Sequence, residues 1–131
     1  INVGILYDAE KNSGNDVRRI GEEGLYRSLA EENIKNISEC EFTMILTSDP
    51  HSFNTLRNEY PGLGADWGKD DVWHHSQFLL KLLKEGSLKI THPLNVKATY
   101  HDPCTLGRYN GSRGQQAYPQ SVLAAQRRWQ P

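Results

Sequence analysis

Phe42-Thr-Met-Ile-Leu-Thr-Ser-Asp-Pro-His-Ser52 reads in two halves. Phe42–Thr47 is apolar almost throughout, as expected of a strand in a sheet covered on both faces. Ser48–Ser52 then turns the chain into a helix, with Pro50 suited to the first helical position and Asp49 to its N-cap. A buried strand that runs directly into a capped helix is the repeating step of an α/β fold.

Working outward, the same alternation recurs. Asn2–Tyr7 is a short apolar run, expected as another buried strand. Asp8–Gly14 is polar and turn-rich, and Asn15 or Asp16 can cap a long helix fading near Ser38. Val17, Ile20, Leu25, Leu29, Ile34 and Ile37 make its apolar stripe. Gly21 and Gly24 within it are expected to let the helix approach a sheet or loop closely. On the other side, the helix from Ser52 stops near Tyr60, before Pro61-Gly62, and Gly62–Asp71 is a loop. Val72–Leu83 is predicted as a third helix with Gly86 just beyond its end. Ile90–Leu94 connects to a third strand, Val96–Tyr100. The prediction is a parallel sheet with helices on its faces. Ligand chemistry in such folds gathers at the carboxyl ends of the strands, here Asp8–Gly14, Ser48–Ser52 and His101–Arg108.

The chain has 131 residues, enough for one domain with a core. Its net charge of −1 argues against a nucleic-acid partner. No apolar run approaches a membrane span, and no signal peptide is evident. Two cysteines, Cys40 and Cys104, are too few for a disulfide scaffold and fit a reducing, cytoplasmic setting. The chain opens at Ile1 almost directly into its first expected strand, as an excised or incomplete piece would. Residues 1–111 read as one α/β unit. Residues 112–131 read as a divergent, poorly ordered tail whose short apolar stretch would be a marginal helix.

Cys104 heads a Gly-containing turn just after His101-Asp102, a setting for a reactive or metal-bound thiol. An ordinary buried cysteine is the alternative. Asp49, His51, His101 and Cys104 together could form a mixed zinc site, and His101 with Cys104 a Cys–His nucleophile. His51 and His101 are the candidate catalytic groups, His51 as a proton donor or hydrogen-bond partner. Cys40 reads as a structural thiol. The adjacent His74 and His75 diverge too far to chelate one metal and suit packing or hydrogen bonding. Arg108 and the Arg18-Arg19 pair suit a solvated face or an anion.

Four ordered stretches carry a resemblance. They are Asp8-Ala-Glu-Lys-Asn-Ser-Gly-Asn-Asp-Val-Arg-Arg19, Ser48-Asp-Pro-His-Ser-Phe-Asn-Thr-Leu-Arg-Asn-Glu-Tyr-Pro61, Trp73-His-His-Ser-Gln-Phe-Leu79 and His101-Asp-Pro-Cys-Thr-Leu-Gly-Arg-Tyr-Asn-Gly111. Together they resemble the cysteine-rich CCG domain of iron–sulfur oxidoreductases of the heterodisulfide reductase and glycolate oxidase type. The chain resembles its first repeat and the start of the second. The resemblance implies a Rossmann-like half of that domain, electron transfer with a redox partner subunit, and thiolates holding a [4Fe-4S]-type iron–sulfur cluster or a zinc ion. It also implies a missing second repeat as an intramolecular partner. Attachment to the inner face of a membrane would come through partner subunits, without a span in this chain.

Ligand-equivalent positions of the first repeat are here Asn12, Asp49 and Ser52, and neither Asn nor Ser suits an iron–sulfur cluster. Cys104 alone is kept, as the first cysteine of the second repeat, and after Gly111 the likeness ends, as after a truncation or a change of reading frame. The loops look structurally maintained after losing their thiols, through capping by Asp49 or Ser52 and a turn at Asn12. This chain alone is therefore expected not to hold the cluster. The alternative function is a redox-inactive scaffold or partner-docking module.

Overall fold

Ile45–Thr47 forms strand β1 and Val72–His74 forms strand β2, paired in parallel with Ile45 opposite Val72 and Thr47 opposite His74. The computed structural model describes residues 2–92 and 103–110. Within them, α1 spans Asn15–Arg19, α2 Glu23–Ser38, α3 Pro50–Asn54 and α4 His75–Lys84. A π turn at Thr55–Glu59 and a 3-10 turn at Tyr60–Leu63 prolong α3, and a second π turn spans Thr105–Tyr109. Parallel strands cannot be joined by a hairpin, so the segment from α3 to Asp71 serves as their crossover. The result is the expected α/β fold.

α2 supplies one wall of the core. Tyr26, Ala30, Asn33 and Ile37 recur at helical spacing on its inner face. Tyr26 and Ala30 pack with Phe53, Tyr60, Trp67, Val72 and Leu106. Burying each large apolar side chain contributes roughly 1.5–3 kcal/mol. The Trp67 indole N–H donates to the Leu56 carbonyl at 3.0 Å, so its burial leaves no donor unpaired. Arg57 binds the Lys69 and Val72 carbonyls, tying the crossover to the start of β2.

Several expectations are corrected. Asn2–Tyr7 is not a strand: Val3, Ile5 and Tyr7 are 69%, 62% and 77% exposed, and the run ends in a 3-10 turn at Tyr7–Ala9. It has no strand beside it among the described residues to take up its backbone hydrogen bonds. The long helix breaks between α1 and α2 because Gly21 sits at φ +91°. Neither Gly21 nor Gly24 is a close approach, since a Cβ at either would meet nothing within 4 Å. The helix is entered through Gly14 at φ +76°, with no side-chain cap from Asn15 or Asp16. Ile20 and Leu25 lie on the exposed face of the expected stripe. β1 is shorter than Phe42–Thr47 and not covered on both faces, for Leu46 is 45% exposed. Val72-Trp73-His74 is a strand, so the third helix starts only at His75. The helix after Asp49 does not stop before Pro61, which lies inside the 3-10 turn. Val96–Tyr100, His101 and residues 112–131 lie outside the described residues.

Candidate functional site

Asp49 fulfils its expected role. Its carboxylate accepts the Ser52 N–H at 2.7 Å, with Pro50 at the first turn of α3. Burial works to raise its pKa, but the hydrogen bonds from Ser52 and His51 outweigh it and hold the carboxyl below its ordinary value. His74 secures the other side of this loop. Its Nδ1 accepts from the Ser76 N–H at 3.3 Å, and Nε2 faces the Ser48 carbonyl at 3.1 Å. This pairing assigns the neutral tautomer with its proton on Nε2. Burial, and secondarily the neighbouring His75, lower the His74 pKa.

The loop before α1 is fixed from below by buried Asn33. That amide accepts from the Lys11 N–H at 3.2 Å and donates to the Asn12 carbonyl at 3.0 Å and to the Tyr60 hydroxyl at 3.1 Å. Tyr60 in turn donates to the Ser13 carbonyl at 3.0 Å. Asn12 accepts the Gly14 N–H through its side chain at 2.7 Å, closing an Asx turn. The Ser13 and Ser52 hydroxyls then meet at 3.2 Å. The two loops that the sequence places at one end of the sheet are thus in direct contact.

Residues 103–110 join them. Thr105 Oγ1 lies 3.1 Å from His51 Nδ1 and 3.9 Å from Cys104 Sγ. Asn110 bonds Asn54 and Asn58 across to the π turn that follows α3. Cys104 is exposed and lines an open cleft of about 390 Å³ with Arg19, Arg108 and Tyr109. Arg18, by contrast, is structural: it pairs with Glu59 at 2.6 Å and stacks over Tyr26, whose hydroxyl also donates to Glu59. Cys40 is exposed at the end of α2 and donates to the Asn36 carbonyl. Sequence reasoning missed Asn33, Tyr60, Ser13 and Thr105 as organisers. Asn33 standing in the apolar stripe of a helix was the one available signal.

Among the described residues, no three of His, Cys, Asp and Glu are grouped to hold a metal ion. Asp49, His51 and Cys104 therefore do not by themselves make a zinc site, and His101 lies outside the described residues. Asn12 and Asp49 each accept a backbone N–H through a side-chain oxygen, and the Ser52 hydroxyl donates to Ser13. These positions do not fit an iron–sulfur cluster, which takes soft thiolates. Of the two thiols, Cys104 alone lies at this end of the fold.

The proteins to which this chain is similar include, by name, an iron–sulfur-binding oxidoreductase, a ferredoxin and a heterodisulfide reductase. One is the probable iron–sulfur-binding oxidoreductase FadF of Bacillus subtilis, 44% identical over 84% of this chain and 15% of its own length. A probable membrane-anchored ferredoxin of Chromohalobacter salexigens is 42% identical over 95% of this chain and 18% of its own. A polypeptide of the dihydromethanophenazine:CoB–CoM heterodisulfide reductase of Methanosarcina barkeri is 29% identical over 85% of this chain and 28% of its own. The chain thus spans less than a third of these relatives. No family model and no solved structure matches it. No helix among the described residues is long and apolar enough to cross a membrane.

Proposed function

We propose that this chain is a segment of an iron–sulfur oxidoreductase of the heterodisulfide reductase-like type, working in electron transfer to or from a redox partner subunit. The observation that carries this reading is the likeness, along most of the chain, to proteins named for iron–sulfur and ferredoxin chemistry. Cys104 is the residue that would give a thiolate to a [4Fe-4S]-type cluster, with the other thiolates supplied by the second repeat of the domain, since the one other cysteine of this chain is Cys40. Its exposure and its place in a cleft support that role. Arg19 and Arg108 give the cleft a positive wall, which suits a negatively charged thiolate-bound group or an acidic partner surface. His51, held against Thr105, orients the loop carrying Cys104. The protein would work in the cytoplasm, reaching the inner face of a membrane through partner subunits.

The test is iron and acid-labile sulfide content after anaerobic purification and reconstitution, on the parent and on Cys104→Ala. Stoichiometric iron that is lost in the variant supports the reading. Near-zero iron in both, the outcome expected of this chain alone, overturns cluster binding by the chain itself and leaves a redox-inactive scaffold or partner-docking module.

A further inference from the structure

At the carboxyl end of β1, the Lys11–Gly14 and Ser48–Ser52 loops and residues 103–110 are hydrogen-bonded to one another. We infer that the Lys11–Gly14 and Ser48–Ser52 loops form a preorganised polar clasp, which sets the Cys104 end of the fold and holds no iron itself. The inference rests on the iron–sulfur reading above only for what the clasp serves. Its geometry stands apart from that reading.

The hydrogen bonds run as one chain from the core to the surface. Asn33 and Tyr60, both buried and bonded to each other, fix the backbone of residues 11–13. The Asn12 side chain closes the turn at Gly14, where a Cβ would come within 2.8 Å of the Tyr26 ring. Ser13 passes the connection to Ser52, and Asp49 holds the Ser52 N–H. His51, on the same turn of α3, reaches Thr105 beside Cys104. Asn33 and Tyr60 are desolvated, so any other arrangement at that end leaves a donor or acceptor unpaired, which fixes the loop they hold. The clasp offers only oxygen and amide groups, not the thiolates that an iron–sulfur cluster takes.

Two measurements on the protein as isolated and on its metal-depleted form test this. In hydrogen exchange, the Gly14 and Ser52 amides should show the same protection in both forms. Exchange at the unprotected rate without metal, slowed only on iron loading, would overturn the inference. In the second, Asp49→Asn keeps a capping oxygen, and with it the clasp, but removes the carboxylate charge. Its iron content and the paramagnetic spectrum of the reduced protein should equal the parent's. Loss of iron or an altered spectrum, with the circular dichroism retained, would also overturn it. Iron absent from the parent would sink the electron-transfer reading for this chain itself while leaving the exchange result decisive for the clasp.

Discussion

Gly14 is the residue where backbone and packing demands coincide. Its φ of +76° disfavours any L side chain, and an added Cβ would press on Tyr26. Gly14→Ala should destabilise the chain by more than about 1 kcal/mol, read as a lower urea midpoint; an unchanged midpoint would contradict the role given to this turn. Tyr60→Phe removes a donor to Ser13 and an acceptor for Asn33. Leaving those buried groups unpaired should lower stability by about 1–3 kcal/mol. His74 carries a pH dependence. Its pKa is lowered from 6.5 by burial and by His75, against the opposing pull of the Ser48 carbonyl and Asp49. The unfolded chain therefore binds this proton at higher pH than the folded one. The stability from neutral His74 is full above 6.5 and lost as pH falls through the folded value. Urea midpoints should fall on acidification below that point, and His74→Gln should flatten the fall; an equal slope in the variant would count against it.

At the scale of elements, α3 shows how a five-residue helix persists. A single short turn is unstable alone, so its cap, its prolongation by the π and 3-10 turns, and the burial of Phe53 act together. Asp49→Ala should lower stability by about 1 kcal/mol in thermal unfolding at neutral pH, while Asp49→Asn should stay close to the parent. Because the Asp49 pKa is depressed, the contribution is complete above 3.8 and disappears as pH falls through the folded value. The difference between Asp49→Ala and the parent should shrink in strong acid; a constant difference would mean that the carboxylate charge plays no part in the cap. The two π turns, after α3 and after Cys104, meet through the Asn54–Asn58–Asn110 contacts. π turns place side chains where a regular helix cannot, which is why they gather at functional ends of folds.

For the whole molecule, a two-stranded sheet with Val3, Ile5, Tyr7 and Leu46 exposed leaves apolar surface and strand edges uncovered among the described residues. Such surface favours association. The chain on its own should sediment with a concentration-dependent mass, and Val3→Lys with Ile5→Lys should shift it toward monomer; a monomer at every concentration would refute this. The α/β class, the Asp49 cap and the turn at Asn12 were legible in the sequence. Those features depend on neighbours within three or four positions, or on the strand-to-helix step that an α/β sheet imposes. The meeting of the Asp8–Gly14 and Ser48–Ser52 loops, by contrast, was expected from a strand at Asn2–Tyr7 that does not form. The sequence by itself could not determine whether Val72-Trp73-His74 opened a helix or made a strand, since its apolar spacing serves both. Parallel pairing with Ile45–Thr47 decided that, because only a distant partner can satisfy those backbone groups. The same reason works in reverse for Asn2–Tyr7, whose strand-like composition finds no paired neighbour in the described structure. Ser13 against Ser52, Tyr60 against Asn33 and His51 against Thr105 are likewise tertiary facts, fixed when α2 packs on the Tyr60–Leu63 turn and residues 105–109 pack on α3, so that buried Asn33, Tyr60 and Thr105 had to find partners.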